Sequence, residues 1–260
     1  MHQPLSYVHQ GAKIAKNVVI EPFVTIENNV IIGEGTWIGS NVTIMEGARI
    51  GKNCKIFPGA VISAIPQDLK FQGEESTVHI KDNTTVRECV TINRGTAASG
   101  KTIISENCLL MAYSHIAHDC VIGENCIIAN GVALAGHVSI HEYAIVGGNS
   151  AVHQFVTIGK HSMISGGSLV RKDIPPYVKA AREPLSYIGI NSIGLRRRGY
   201  NEEKITEIQD IYRILFQKNN NNTQAVLKME AELKPTAERD EIISFIKNSG
   251  RGIMKGYKQN

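Results

Sequence analysis

Aromatic side chains, long apolar runs and paired cysteines are scarce in this chain, and each shortage excludes a class of protein. Phe, Trp and Tyr make up only 6% of the 260 residues, so a core built around large rings is not expected. No apolar run reaches the roughly 18 residues of a membrane-spanning helix. The first residues lack the basic start and apolar stretch of a secretory signal, and the five cysteines show no disulfide framework. We therefore expect a cytoplasmic protein with no transmembrane segment.

A six-residue repeat replaces the usual core pattern. Aliphatic residues recur at every sixth position over residues 14–62, 80–92 and 104–170, which gives 24 hexads. A period of six does not fit the 3.6 residues of an α-helical turn, but it fits short strands in which alternate residues share one face. The other positions are rich in asparagine and glycine, which turn corners. Three strands close an 18-residue coil, so the sequence predicts a parallel β-solenoid of about eight coils.

Two interruptions and one change of pattern divide the chain. The segments near residues 63–77 and 93–101 add residues to the repeat, and we expect both to be surface loops, the first with the stronger case for a function. The hexads end at residue 170, and helical patterning follows. We therefore expect a β-solenoid over residues 1–170 and a helical domain over residues 171–260.

Net charge changes at the same boundary. Residues 1–170 carry 11 basic and 13 acidic side chains, whereas residues 171–260 carry 17 and 11, a net charge of +6. This excess either belongs to a solvated surface or forms a dock for an acidic partner. Nucleic-acid binding is not expected, because stacking aromatics and the known nucleic-acid motifs are missing.

Histidines gather along one predicted edge of the solenoid. Residues 18 apart lie above one another, and three histidines follow the same face on successive coils: His118, His137 and His153. Three imidazoles can bind Zn²⁺, as in the hexapeptide-repeat carbonic anhydrases, or one imidazole can act as a general base. The local sequence favours the base, because Asp119 directly follows His118 and can accept its N–H. Gly136 supplies backbone that a reacting carbonyl can approach closely.

Six motifs carry a resemblance to a known family. They are IPQDLKF, HIAHDC, LAGHVSI, GGNSAVHQF, IPPYV and GLRRRGY, which lie between residues 65 and 200, while the resemblance itself extends over essentially the whole chain. With these motifs the chain resembles the UDP-N-acetylglucosamine O-acyltransferases of the hexapeptide-repeat acyltransferase superfamily. The resemblance implies a left-handed parallel β-helix followed by a small α-helical C-terminal domain. It also implies a cytoplasmic homotrimer, with active sites between neighbouring copies, that performs the first step of lipid A biosynthesis.

The resemblance also implies roles for residues of this chain. His118 would be the general base that takes a proton from the 3-hydroxyl of UDP-N-acetylglucosamine, Asp119 would orient it, and the Gly136 amide would stabilise the oxyanion. No metal and no cofactor are implied, because the 3-hydroxyacyl chain arrives on the phosphopantetheine of an acyl carrier protein. The substrate-binding residues would be Asp68, Lys70, His115, His137, His153, Gln154, Asn191 and Arg198.

Acyl-chain length and two departures from the family pattern complete these expectations. In the family a residue near Met163 or Gly166 limits acyl length, and Gly166 leaves space for a long 3-hydroxyacyl chain. Residues 181–184 and Ile193 depart from the family pattern. Three alternatives remain open at this point: the later N-acyltransferase of the same pathway, a zinc-dependent carbonic anhydrase, and a non-catalytic trimeric scaffold.

Overall fold

Very short strands make up most of the fold. The computed structural model describes residues 5–217 and 221–256. Each of the first 25 strands has two to four residues. This length is expected if part of each hexad is extended and the rest turns the corner to the next strand. These strands are β1 (Tyr7–Val8), β2 (Lys13–Ile14), β3 (Val19–Ile20), β4 (Thr25–Ile26), β5 (Ile31–Ile32), β6 (Trp37–Ile38), β7 (Thr43–Ile44), β8 (Ala48–Ile50), β9 (Lys55–Ile56), β10 (Val61–Ala64), β11 (Thr77–Ile80), β12 (Thr85–Val86), β13 (Thr91–Asn93), β14 (Lys101–Ile104), β15 (Leu109–Leu110), β16 (His115–Ile116), β17 (Val121–Ile122), β18 (Ile127–Ile128), β19 (Ala133–Leu134), β20 (Ser139–Ile140), β21 (Ile145–Val146), β22 (Ala151–Val152), β23 (Thr157–Ile158), β24 (Met163–Ile164) and β25 (Leu169–Val170).

Every third strand joins the same parallel sheet, so three sheets form the sides of a prism. The first sheet runs from β1 through β4 to β25, the second from β2 through β5 to β23, and the third starts at β3 and β6. Register partners lie 18 residues apart, since Ile116 pairs with Leu134 and Leu134 with Val152. The separation grows where the first interruption enters, where Ile62 pairs with Ile92. The hexapeptide β-solenoid expected from the sequence is thus confirmed.

The interior of the prism is filled by the aliphatic residue of each hexad. From Ile20 to Val170 these side chains are at most 3% exposed, and each contributes roughly 1.5–3 kcal/mol by leaving water. The residue two positions earlier is small and also buried, because it points to the same side of the strand. Four free cysteines are buried at this second position: Cys54, Cys108, Cys120 and Cys126.

The third sheet continues beyond the last hexad. β26 (Val178–Ala181) pairs in parallel with β24, and β27 (Ser186–Ile190) returns antiparallel to it. The sheet therefore crosses residue 171, and the hexad count does not detect this hairpin because its strands have lost the six-residue period. The remaining elements are α1 (Ser192–Arg197), α2 (Glu202–Gln217), α3 (Asn222–Glu232), α4 (Ala237–Asn248) and β28 (Lys255–Gly256).

Buried polar contacts join this C-terminal part to the prism. The carboxylate of Asp173 accepts the Thr157 N–H at 2.8 Å and the Ser249 hydroxyl at 2.6 Å. On α2, Tyr212 donates its hydroxyl to the Pro176 carbonyl. Over the described residues, none of the helices has the length and apolar character needed to cross a membrane.

Candidate active site

Two columns of residues stand at the corner between the first and second sheets. Their members are 18 residues apart, and backbone bonds join successive coils, as the His137 N–H donates to the His118 carbonyl at 3.0 Å. One column consists of His118, Gly136 and Gln154, and the other of Asp119, His137 and Phe155. The second column has positive φ angles of 59°, 59° and 65°. Such backbone conformations are costly for residues other than glycine and asparagine, and they cluster at functional sites.

His118 and Asp119 form a hydrogen-bonded pair at this corner. The Nδ1 atom of His118 lies 2.8 Å from the Oδ2 atom of Asp119. The His118 side chain is 9% exposed, and the Asp119 side chain is fully buried. Because an ionised carboxylate only accepts hydrogen bonds, this contact assigns the imidazole proton to Nδ1. The Nε2 atom of His118 is then the basic nitrogen.

Several donors surround the Asp119 carboxylate. The Thr96 N–H donates to Oδ1 at 3.0 Å, the Thr96 hydroxyl donates to Oδ2 at 2.6 Å, and the Ser99 hydroxyl contacts Oδ1. Burial by itself raises the pKa of Asp119, but the hydrogen bonds from Ser99, Thr96 and His118 outweigh it and lower the pKa to about 2. Asp119 is therefore ionised at neutral pH.

His137 extends this cluster from the next coil. Its Nε2 atom lies 3.7 Å from Oδ2 of Asp119, and its ring packs edge-on against His118 with the centroids 5.2 Å apart. On its other side the ring stacks on Phe155 at 4.6 Å. The potential ligand atoms of His118, Asp119 and His137 lie within 4.8 Å of one another, so these three residues could hold a metal ion.

Gly136 lies directly against the His118 ring. A Cβ atom at this position would stand 2.5 Å from Cε1 and 2.6 Å from Nε2 of His118, which is closer than side chains approach. Only glycine fits here without moving the imidazole. Among the described residues the Gly136 N–H has no acceptor, so it is free to donate to an oxyanion beside Nε2.

His115 borders the pair from the first sheet. It lies on β16, is half-buried, and has its Nδ1 atom 2.7 Å from the Thr91 hydroxyl. Burial lowers the pKa of His115, and the neighbouring His118 lowers it further. Neutral His115 is therefore suited to hydrogen bonding with a substrate at this edge.

His153 lies at the same corner, directly after β22. Its side chain is exposed, with Nδ1 3.1 Å from the Gln154 carbonyl. In the 18-residue register His153 lies above Ala135, whereas Gln154 is the residue above Gly136. Across the described residues, the metal-type cluster also leaves His153 out. His153 therefore lies at the corner expected for it, and its contact with a substrate stays a prediction.

The first insertion loop carries Asp68 and Lys70. It connects β10 to β11, and Asp68 Oδ1 accepts the Lys70 N–H at 3.0 Å. Lys70 is exposed, so its ammonium group can reach a ligand. The Glu74 carboxylate of the same loop accepts the Ala97 N–H of the second loop at 2.9 Å. Because the second loop also binds Asp119, hydrogen bonds connect both insertions to the corner.

A separate cavity of about 570 Å³ lies against the third sheet. Met163 and Asn191 line it, together with the apolar side chain of Ile193. The Asn191 side chain is engaged, since it donates to the His161 carbonyl at 2.9 Å and caps α1. Gly166 is exposed on the corner after β24 and is not among the lining residues found for this cavity in the described chain.

Two arginines border the same cavity: Arg197 is the last residue of α1, and Arg198 is its C-cap. The Arg198 guanidinium lies over the Tyr143 ring at 5.1 Å and donates to the carbonyls of Gly194 and Tyr143 at 3.2 and 3.4 Å. Arg197 is exposed, and within the described residues its side chain has no hydrogen-bond partner. The resemblance points to Arg198, whose guanidinium is already bonded, whereas Arg197 and Lys179 of the same lining make no side-chain hydrogen bond or ion pair among the described residues.

Three residues near the pair escaped the sequence analysis. Phe155 was detectable, because it lies 18 residues after His137 and so stacks on it. Thr96 and Ser99 were not, because they belong to an interruption, where the six-residue count gives no positions.

Sequence families match both parts of the chain. The profile described as Udp N-acetylglucosamine O-acyltransferase, domain 2, matches residues 173–254, and the bacterial transferase hexapeptide profile matches residues 5–36, 29–64 and 101–136. Several curated relatives bear the name acyl-[acyl-carrier-protein]--UDP-N-acetylglucosamine O-acyltransferase, among them the two described next. The one from Chlorobaculum parvum is 53% identical over 257 residues, covering 98% of this chain and 97% of the relative. The one from Sulfurihydrogenibium sp. is 57% identical over 251 residues, covering 96% and 93%.

Solved structures give the same result. The UDP-N-acetylglucosamine acyltransferase of Bacteroides fragilis is 52% identical and superposes with a TM-score of 0.97 over 98% of this chain and 100% of that chain. The Arabidopsis UDP-N-acetylglucosamine acyltransferase, at 32% identity, superposes with a TM-score of 0.83 over 98% and 100%. With similarity of this extent in both sequence and structure, the chain belongs to the UDP-N-acetylglucosamine O-acyltransferase family.

Proposed function

We propose that this protein transfers a 3-hydroxyacyl group from an acyl carrier protein to the 3-hydroxyl of UDP-N-acetylglucosamine, the first step of lipid A biosynthesis. The observation that carries the proposal is the His118–Asp119 hydrogen bond, which leaves Nε2 of His118 beside Gly136. Relatives that align with nearly the whole chain bear the name of this activity. The names of these relatives favour O-acyl transfer over N-acyl transfer and carbonic anhydrase activity, and the hydrogen-bonded pair favours catalysis over a scaffold role.

The reaction follows from the protonation of the pair. Nε2 of His118 takes the proton of the sugar 3-hydroxyl while that oxygen attacks the thioester carbonyl carbon. A C–O bond forms, and the Gly136 N–H donates to the oxyanion of the tetrahedral intermediate. The C–S bond then breaks, and the imidazolium returns its proton to the phosphopantetheine thiolate. Ionised Asp119 stabilises the imidazolium between these steps.

Side chains around the pair bind the sugar nucleotide in this proposal. An exposed lysine such as Lys70 suits phosphate oxygens, and a neutral imidazole such as His115 suits hydroxyl and amide groups. The loop of Lys70 is bonded through Glu74 to the loop that binds Asp119, which supports a shared substrate site. The assigned contacts are Asp68, Lys70, His115, His137, His153 and Gln154.

We assign the working unit as a homotrimer with clefts between copies. His118 stands at the corner between the first and second sheets, whereas the cavity of Met163 and Asn191 lies against the third sheet, on the opposite side of the prism. A cleft between neighbouring copies would bring these two groups to one substrate pair. Asn191 and Arg198, with Arg197 beside them, would then contact the acyl-phosphopantetheine or the diphosphate.

The donor protein and the compartment follow from charge and cysteine state. Residues 171–260 carry the net charge of +6, which would attract an acidic acyl carrier protein at long range. The five free cysteines are in keeping with a reducing compartment, and we place the reaction in the cytoplasm.

Acyl length is assigned to residues near the third sheet. Met163, the first residue of β24, lines the cavity there. Gly166 comes two residues after the end of β24 and has no side chain to occupy space. We therefore expect a long 3-hydroxyacyl chain to be transferred faster than a short one.

Product masses test the whole proposal. Wild type and His118→Ala are incubated with UDP-N-acetylglucosamine and carrier proteins bearing 3-hydroxydecanoyl, 3-hydroxymyristoyl and longer chains. We expect an ester product from the long chains, and a loss in kcat of about 10²–10⁴-fold in His118→Ala with the fold intact. Consumption of no thioester would reject the transferase function. Substantial turnover by His118→Ala would reject only the base, and faster transfer of the decanoyl chain would reject only the length assignment.

A further inference from the structure

We propose that Thr96 is a positioning residue that fixes the Asp119 carboxylate against His118. The second insertion loop would then be part of the catalytic apparatus, although the first loop had the stronger case for a function from sequence alone. This inference rests on the proposed role of His118 as general base.

Thr96 binds both oxygens of the carboxylate. Its hydroxyl donates to Oδ2 of Asp119 at 2.6 Å, and its backbone N–H donates to Oδ1 at 3.0 Å. The Oδ2 atom is also the one that contacts Nδ1 of His118, at 2.8 Å. Thr96 is itself 8% exposed, so water has little access to these bonds. Two donors on two oxygens prevent the carboxylate from rotating away from the imidazole.

The loop around Thr96 is closed upon itself. The Gly100 N–H donates to the Thr96 carbonyl at 2.7 Å, and the two ends of the loop approach so closely that a Cβ on Gly95 would lie 2.1 Å from the Lys101 nitrogen. The Ala98 N–H donates to the Thr96 hydroxyl oxygen at 3.3 Å. The hydroxyl oxygen therefore accepts from Ala98, and its proton is donated to Asp119, because an ionised carboxylate can only accept.

Ser99 also contacts the Asp119 carboxylate, but it divides its hydroxyl between two acceptors. Its hydroxyl contacts both Oδ1 of Asp119 and the Lys101 carbonyl, which lies 3.0 Å away. Neither group can donate, so the single hydroxyl proton is shared between two acceptors. We therefore expect the Thr96 hydroxyl to hold the carboxylate more firmly than the Ser99 hydroxyl does.

The consequence for catalysis is a fixed direction of the imidazole. The carboxylate determines which nitrogen of His118 carries the proton and where Nε2 points. The other ionisable groups facing the pair are His115, His137 and the Glu74 carboxylate. None of these forms a hydrogen bond to Asp119 among the described residues, so they cannot replace the Thr96 hydroxyl.

Thr96→Val tests the proposal, because it removes the hydroxyl but keeps the shape and the backbone N–H. Its kcat should fall about 10-fold, as expected for a lost bond to a charged group, while KM for UDP-N-acetylglucosamine stays within about twofold. Thr96→Ser should restore kcat. The downfield proton resonance of the His118 Nδ1–H should move in Thr96→Val and return in Thr96→Ser.

Thr36→Val is the matched control. The buried Thr36 hydroxyl also makes two bonds, to the Gly51 carbonyl at 2.8 Å and from the Cys54 N–H at 3.1 Å, but it lies in a distant coil. It should leave kcat and the resonance unchanged. An unchanged kcat in Thr96→Val, or an equal loss in Thr96→Ser, would overturn the proposal. Turnover by His118→Ala would instead reject the base role on which it rests.

Discussion

At two corners of the solenoid, side-chain rings stack on residues that have a left-handed backbone conformation. The surroundings of the stacked imidazole differ between the two corners. Between the first and second sheets the column is Asp119, His137 and Phe155, and between the second and third sheets it is Tyr143, His161 and Tyr177. The first column reaches the solvent, since Phe155 is 55% exposed. The second column is buried at its centre, where His161 is 6% exposed. One stack presents an imidazole beside a carboxylate, and the other packs an imidazole into the interior.

The neighbours of each imidazole explain the difference. His161 stacks between two tyrosines at 4.9 and 5.7 Å, and a third, Tyr200, packs edge-on at 5.4 Å. Burial lowers the pKa of His161 to about 4, and the cations Arg198 and Lys160 contribute. At the first corner a buried, ionised Asp119 takes the place of these cations. The same backbone conformation therefore places an imidazole beside a carboxylate at one corner and packs an imidazole among tyrosines at the other.

Replacing the carboxylate should have the largest effect on this comparison. In Asp119→Asn the amide cannot stabilise an imidazolium and can favour the wrong tautomer, so we expect kcat to fall about 10²–10⁴-fold with KM little changed. Steady-state kinetics measure this. Asp82→Asn is the control, since that carboxylate accepts the Lys52 N–H far from the site and should leave kcat intact. Near-normal turnover in Asp119→Asn would show that the two corners do not differ in the way described.

A methyl group at Gly136 should have the next largest effect. Its Cβ would meet the His118 ring at 2.5 Å and force the imidazole to move. A displaced base costs about 10–10²-fold in kcat, which a turnover assay measures, while circular dichroism should show an unchanged fold. Gly250→Ala is the matched control, because a Cβ there meets nothing within 4 Å. If Gly136→Ala keeps full activity, close packing of Gly136 on the ring has no catalytic role.

The buried imidazole should affect stability rather than catalysis. Unfolded histidine binds a proton near pH 6.5, whereas His161 in the fold binds one only near pH 4, so the free energy of unfolding should fall as the pH drops between these values. The loss is on the order of 2–3 kcal/mol. His161→Phe keeps a stacked ring without titrating, so denaturant unfolding should show a smaller acid loss than in wild type. His153→Phe, which removes an exposed imidazole, should keep the wild-type loss; equal losses in all three proteins would contradict this account.

Periodicity determines how much of this arrangement can be predicted from sequence. Within the hexads the count gives the three sheets and the adjacency of His118, Asp119 and Gly136. It also gives the corner of His153, but not whether that exposed side chain reaches the site. Outside the hexads it gives nothing, so the Thr96 contacts were not foreseen. Among the described residues the Arg198 guanidinium is bonded whereas that of Arg197 is not, and only coordinates show this.

The central claim, that Asp119 acts through His118, is tested most directly by a double-mutant cycle. The kcat values of His118→Ala, Asp119→Asn and the double variant are compared with that of wild type in the same acyl-transfer assay. If the carboxylate serves only to orient and stabilise the imidazole, the double variant should be within about twofold of His118→Ala. Losses that multiply in the double variant would contradict the account.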